Sequence, residues 1–317
     1  MIFSRTMPDI LTLTMNPCVD ISTSTQRVEP THKVRCSAPQ RHPGGGGVNV
    51  ARVVHRLGGD CAALYPAGGV NGEVLQSLLE EEGVAGMCVA IGGETRESFS
   101  VRELSSALEY RFVLPGPQLA AQEWQACLDR IAALEPAPRY LVASGSLPPG
   151  VPIDFYARLI RLLRPSGTRV VLDSSGAPLA AALEEGVYLV KPSLRELCGL
   201  VGQPLETEGQ WRAAAAQLRE RGRAQVVVLT LGAGGALLVS AEGSSFAPAL
   251  PVQVVSAIGA GDSFVGAMVW ALARGLDVRE AFRYGVAAGS AALLAEGTGL
   301  AQAADLARLH EAVTVIG

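Results

Sequence analysis

The chain has 317 residues, 49% of them hydrophobic, and a formal net charge of −4, with a mean hydropathy of +0.28. This is enough apolar material for one large core, or a core with a smaller appendage, and it excludes disorder. The charge supplies no basic field for nucleic acid, so the expected partner is a small molecule. No apolar run reaches membrane-span length, residues 1–9 lack the apolar middle of a leader, and Met7 is an alternative start. Six scattered cysteines without a C-x-x-C pair argue against a zinc site or a disulfide scaffold and predict reduced thiols in a cytoplasmic protein.

The run I-L-T-L-T-M predicts a buried strand over residues 9–16, after which 17–45 lose helical periodicity in the manner of short exposed strands and turns. A helix is expected over 49–57, closed by Gly58-Gly59, then a strand over 62–67 and a helix over 73–82 ending at Gly83. Strands broken by turns follow at 87–91 and 97–114, and a helix at 119–134. A strand-then-helix rhythm then takes over, with strands at 140–143, 169–172, 188–190 and 225–230. Residues 236–239 and 252–255 are expected to form an antiparallel edge. Helices are expected at 153–163, 194–201, 208–221, 261–274, 278–294 and 301–313. The pattern predicts an α/β fold, a mostly parallel sheet covered by helices on both faces. Residues 1–16, 46–91 and 116–317 form its core, and 17–45 with 92–115 form a small β lid.

Loops after parallel strands gather on the edge where such sheets bind ligands. Those beginning at Gly145, Asp173, Lys191 and Leu231 all follow predicted strands. The segment Ala257-Ile258-Gly259-Ala260-Gly261-Asp262-Ser263 places a carboxylate after a glycine turn at a helix start. Amides there, with the helix dipole, bind anions, and a carboxylate can take a proton from an attacking hydroxyl, which together suit phosphoryl transfer. An aspartate at that position serves equally as an N-cap. Gly44 to Gly47 strip side chains from a second turn before Asn49, and the helix pattern at Val50-Ala51-Arg52 favours a defined turn over a floppy linker. Asn49 is then a cap, a ligand for a hydroxyl, or both.

The 26 basic residues include only two lysines, Lys33 and Lys191. A lysine is a compact point charge that fits a phosphate where an arginine fork does not. Lys191 with Glu196 at a strand-to-helix junction would flank a nucleotide phosphate and its magnesium, although a first-turn glutamate also favours the helix dipole. No G-x-x-x-x-G-K-[ST] occurs, no G-x-G-x-x-G opens a helix after the first strand, and Ser146 and Ser174 lie in no hydrolase motif with the four histidines.

Together P-G-G-G-G-V-N-V-A-R at 43–52 and A-I-G-A-G-D-S-F-V-G-A at 257–267 resemble the two signatures of the PfkB/ribokinase family of carbohydrate kinases. E-Y-R-F-V-L-P-G at 109–116, S-G-S-L-P-P-G at 144–150, V-L-D-S-S-G at 171–176 and G-V-A-A-G-S-A-A at 285–292 are similar to its minor bacterial 6-phosphofructokinase branch. The likeness implies a ribokinase-like fold and ATP-dependent phosphorylation of fructose 6-phosphate at C1. Tagatose-6-phosphate kinase, 1-phosphofructokinase and a catalytically weak sugar-phosphate or nucleotide-binding regulator are the alternatives.

The resemblance implies Asp262 as base and Gly259, Ala260 and Gly261 as anion hole. Asp20, Gly45, Gly46, Asn49 and Ser146 would hold the sugar, and Arg96 with Lys33, Arg35 or Arg111 its phosphate. Lys191, Ser193, Thr230, Gly232, Gly235 and Ser290 would line the ATP site, with Glu196 ordering Mg2+ through water. A monovalent-cation loop for K+ would fall at Ser256, Ile258, Ala292, Ala295 and Gly297, and the lid implies a homodimer. Two positions depart from the family pattern, Ser193 for the usual Asn and Ala257 for the usual Thr.

Overall fold

A computed structural model describes residues 8–317; the expectations for a leader and for Met7 fall on residues outside these. The chain opens with β1 (Ile10–Leu13), β2 (Cys18–Thr25), β3 (Gln40–Gly44), α1 (Gly46–Arg56), β4 (Cys61–Ala67), α2 (Gly69–Glu81) and β5 (Ala85–Ala90). Next come β6 (Arg96–Glu103), β7 (Glu109–Val113) and α3 (Ala121–Ala132). The second half runs β8 (Tyr140–Ser144), α4 (Phe155–Leu163), β9 (Arg169–Asp173), α5 (Gly176–Leu183), β10 (Val187–Val190), α6 (Leu194–Val201) and α7 (Glu208–Glu220). It closes with β11 (Ala224–Thr230), β12 (Ala236–Ser240), β13 (Gly243–Ala247), α8 (Ala260–Ala273), α9 (Val278–Ala292) and α10 (Ala303–Ala312).

Nine strands form one sheet in the order β13-β12-β11-β10-β9-β8-β1-β4-β5. All neighbours are parallel except β11 with β12 and β12 with β13. Period-two alternation feeds two apolar layers: along β8, Tyr140 and Val142 enter one, Leu141 and Ala143 the other. The first layer takes side chains from α1, α2, α8, α9 and α10, and the second from α3 to α7. Each fully buried Leu, Ile, Val or Phe contributes about 1.5–3 kcal/mol. Helix α8 packs between α1 and α9 and is buried nearly all round, which explains its almost wholly apolar sequence.

A separate sheet has the order β3-β2-β6-β7, built from the two irregular stretches. Strands β2 and β6 pair in parallel, and β3 and β7 are antiparallel to them. Cys18, Ser98 and Ser100 are buried on this sheet, whereas Phe99 and Phe112 stack at 4.9 Å and stay exposed.

The structure departs from the expected elements at three points. Residues 252–255 are not a strand; β13 pairs with β12 instead. Val254 is exposed, the Val255 N–H bonds to Leu293 O and the Val255 carbonyl takes Arg102, so its backbone groups are spent outside any ladder. The sequence G-S-S-F-A of β13 carries too few apolar residues to signal itself. Helix α5 is an additional element: its A-P-L-A-A-A-L lacks the polar face that marks a surface helix. Helix α1 also begins at Gly46, inside the glycine run, rather than at Asn49.

Candidate active site

Helix α8 starts beside the ends of β8 and β9, whose last residues Ser144 and Asp173 border the same cavity as Gly259 and Gly261. Its N-cap is Gly259 at φ 72°, a left-handed conformation, and a side chain there would run into Leu300 Cδ2. Asp262 is therefore the third helical residue and not the cap. The first bond into the helix runs from Ser263 N–H to Gly259 O, so the amides of Ala260, Gly261 and Asp262 end the helix as donors. Asn49 Nδ2 donates to Asp262 Oδ2 at 2.8 Å. Burial and the nearby Asp173 carboxylate push the Asp262 pKa up to about 6, against the opposing pull of the Asn49 amide and Lys191. A carboxylate poised there is a base available at neutral pH.

Asp262, Gly259 and Gly261 border a cavity of about 330 Å³ that runs between the strand ends and the small sheet. It is also bordered by Asp20 on β2, Arg96 on β6, Arg111 on β7, and by Gly45, Gly46, Asn49 and Ser146. Gly45, at φ 107°, lies against Thr14, where a Cβ would stand 2.6 Å from Cγ2; Gly46 lies against Ser144. Burial raises the Asp20 carboxyl, partly offset by the Cys18 thiol, which donates to Oδ1 at 3.1 Å, and by Arg96 and Arg111. Arg96 is held by Asn16 O at 3.0 Å, and Asn16 Nδ2 donates to Ser146 Oγ at 3.1 Å. Lys33 and Arg35 do not join them: both are exposed in the segment between β2 and β3, and neither borders this cavity.

Lys191 follows β10 and is buried, its Nζ 3.2 Å from Asp173 Oδ1. Burial disfavours its charge, but Asp173, Asp262 and Glu196 outweigh that and hold its pKa above the ordinary value. Ser193 caps α6, with its hydroxyl accepting from Glu196 N–H and Glu196 Oε2 accepting from Ser193 N–H at 2.7 Å, a capping box. Glu196 still borders the cavity. Thr230 lies beside Ser193, Gly232 opens and Gly235 closes the turn after β11, and Ser290 is buried in α9; none of these borders the cavity. Ala257 is exposed. Sequence reasoning missed Asp173 as a partner for Lys191, Cys18 beside Asp20, and the buried Arg52 behind Asn49. The position of Asp173 at a strand end was the only available signal for it.

The pfkB family carbohydrate kinase profile matches residues 13–305. The chain belongs to the pfkB family. This pfkB kinase is 48% identical over 304 residues to the ATP-dependent 6-phosphofructokinase isozyme 2 of Mycobacterium tuberculosis, covering 96% of this chain and 89% of that one. The crystal structure of phosphofructokinase-2 from Escherichia coli in complex with fructose-6-phosphate superposes with a TM-score of 0.91 at 41% identity, covering 96% and 99% of the two chains. The same E. coli protein has been crystallised with potassium and in a tetrameric inhibited form. The 1-phosphofructokinase of Xanthomonas campestris is 36% identical, over 83% of each chain.

For a pfkB kinase the donor set fits magnesium held mainly through phosphates. Asp173 and Glu196 both border the cavity, and among the described residues no group of three or more His, Cys, Asp or Glu is set for a metal. A second cavity of about 310 Å³ is bordered by Ser256 and Gly297, with Glu109 and Glu296. Ser256 Oγ donates to Glu109 Oε2 at 3.0 Å and accepts from Ile258 N–H. Ile258 borders the first cavity, and Ala292 ends α9 while Ala295 lies in the turn that follows, joined by an Ala295 N–H to Ala292 O bond. Among the described residues no helix is long and apolar enough to cross a membrane, and all six cysteines are free.

Proposed function

We propose that this pfkB kinase is an ATP-dependent 6-phosphofructokinase, moving the γ-phosphoryl group of ATP to the C1 hydroxyl of fructose 6-phosphate. One arrangement carries this: Asp262 and the α8 turn face the same cavity as the guanidinium groups of Arg96 and Arg111. An anion at one end and a reacting hydroxyl at the other match a phosphosugar bridging them. Higher identity to the two 6-phosphofructokinases than to the 1-phosphofructokinase supports phosphate recognition at C6.

In this mechanism Arg96 and Arg111 hold the sugar phosphate, while Asp20, Gly45, Gly46, Asn49 and Ser146 fix the hydroxyls. Asp262 takes the C1 hydroxyl proton as the oxygen attacks the γ-phosphorus, and the bond to the bridging oxygen of ADP breaks. The amides of Gly259, Ala260 and Gly261 take up charge on the transferring group. Lys191, Ser193, Thr230, Gly232, Gly235 and Ser290 form the nucleotide side. Mg2+, ordered through water by Glu196, would offset charge on the ATP phosphates. Oxygen atoms of Ser256, Ile258, Ala292, Ala295 and Gly297 would hold a K+ ion, which would supply positive charge beside the turn into α8.

The small sheet serves as a lid, and its exposed Phe99, Phe112 and Leu108 support pairing with a second copy into a homodimer. The free thiols support a cytoplasmic setting.

The deciding experiment measures ADP release from ATP with fructose 6-phosphate, fructose 1-phosphate and tagatose 6-phosphate in parallel. The highest kcat/KM is expected for fructose 6-phosphate. A higher value for either other sugar overturns the substrate assignment, and binding without turnover on all three overturns the kinase and favours a regulator.

A further inference from the structure

Arg52 on α1 is fully buried, at 0% exposure, and does not border the cavity. Each of its three guanidinium nitrogens has an acceptor. Nε donates to both oxygens of Glu82 at 3.0 and 2.9 Å, and Nη2 to Glu82 Oε1. Nη1 donates to Pro43 O at 3.0 Å, Asn49 Oδ1 at 3.2 Å and Thr298 O at 3.3 Å. A buried ion pair of this kind is weak as a source of stability, since desolvation offsets most of the attraction. Its geometry, however, decides something about a neighbour.

We propose that Arg52 is a positioning residue for the base, acting through Asn49. Arginine only donates, so the Asn49 oxygen must face Arg52 and the Asn49 amino group must face away from it. Facing away, it meets Asp262 Oδ2 at 2.8 Å. A flipped Asn49 would set its amino group against a guanidinium and its oxygen against a carboxylate, two repulsive contacts in place of two hydrogen bonds. The relay Glu82 to Arg52 to Asn49 to Asp262 thus fixes one oxygen of the base, so that the other is presented to the substrate hydroxyl. The same guanidinium ties Pro43, in the small sheet, and Thr298 to the helix that carries Asn49. This role rests on the function proposed above.

The charged groups facing Arg52 are Glu82 and Arg56, with half-buried His42 and, further off, Asp20. Those facing Asp262 are Asp173, Lys191 and Asp20. Arg52 bonds to Asn49 and not to Asp262, so its hydrogen-bonding influence on the base passes through Asn49, and Arg52→Lys, which keeps the charge, separates that influence from its field.

The test uses the full-length enzyme and compares wild type with Arg52→Met, Arg52→Lys, Asn49→Ala and the Arg52→Met/Asn49→Ala double variant. Circular dichroism and melting establish folding, and kcat, KM for each substrate and the pH profile of kcat are then measured. Losing a hydrogen bond to a charged base predicts a fall of about tenfold to a hundredfold in kcat for Arg52→Met. KM for ATP should hold, and the acid limb of the profile should move to higher pH. The double variant should lose no more than the worse single one, because both act on one contact. Arg52→Lys, which keeps the buried charge but cannot serve Glu82 and Asn49 together, should show the same displacement in smaller degree.

A folded Arg52→Met or Arg52→Lys with the wild-type acid limb, or additive losses in the double variant, would overturn the relay while leaving the proposed function standing. Absence of phosphoryl transfer by the wild type would overturn both, since no base would then remain to be positioned.

Discussion

Lys191 Nζ and Asp173 Oδ1 lie 3.2 Å apart, at the ends of neighbouring strands β10 and β9, and both side chains are largely buried. A Cβ placed on Gly261 would stand 3.3 Å from the same nitrogen, so the space around this ammonium is narrow. A guanidinium is too broad for it. Lys191→Arg should therefore raise KM for ATP and lower the melting temperature rather than act as a conservative change. Lys191→Met should destabilise by about 3–5 kcal/mol by leaving Asp173 buried without its cation. A chemical melt of each variant checks the stability, and ATP titration of initial rates the affinity; an Arg variant with wild-type values for both would contradict the narrow site.

Asp262→Asn removes the base but retains a side chain that can accept from Asn49. Turnover should fall by at least about a hundredfold, within the usual range for general base catalysis. Affinity for fructose 6-phosphate, measured by calorimetry, should change little. Near-normal kcat would refute the assignment of Asp262.

The pKa of Asp262 rises from 3.8 to about 6, so kcat/KM should fall about tenfold per pH unit below that value as the base becomes protonated. The sugar phosphate also ionises near pH 6, so the informative quantity is a displacement between two enzymes on one substrate. Asn49→Ala, which removes the amide that lowers Asp262, should move the acid limb upward. The same shift bears on stability. Between pH 3.8 and 6 the folded state holds a proton that the unfolded chain has released, so this group's contribution to stability declines as pH rises through that window. Asp262→Asn has no charge to bury, and should melt higher than wild type near pH 8 by the equivalent of about 1–3 kcal/mol. The gap should close towards pH 4; an advantage that persists there would point to some other cause.

Arg96 is anchored by Asn16 O and Leu114 O, so its guanidinium is already oriented before a ligand arrives. Arg96→Ala should raise KM for fructose 6-phosphate about tenfold to a hundredfold, the worth of a charge-assisted hydrogen bond. KM for ATP should stay put, and steady-state titration of each substrate separates the two. A rise confined to ATP would place Arg96 on the wrong side of the site.

The order of strands and helices could be read from residues 9 to 313 because the signals are local: buried apolar runs end in loops, and helices close at glycines such as Gly58 and Gly83. Where local contrast fades, sequence reading failed, as for the alanine-rich α5 and the serine-rich β13. Asp262 and Asn49 were legible because each sits beside glycines that only a close ligand or a sharp turn requires. Their contact was not, since 213 residues separate them. The scarcity of lysine singled out Lys191, which is buried beside Asp173, and equally Lys33, which lies on an exposed segment that composition alone could not distinguish. Glu196 closes the capping box with Ser193 at the start of α6 and also borders the cavity.

Asp262 and the amides beside it ride on the nine-stranded framework, while Asp20, Arg96 and Arg111 ride on a sheet assembled from two separate excursions of the chain. On the proposed assignment, the proton acceptor and the arginines that grip the sugar phosphate thus have different mechanical supports. Substitutions in β6 and β7 are then expected to alter grip on the phosphate while leaving in place the helix that carries Asp262.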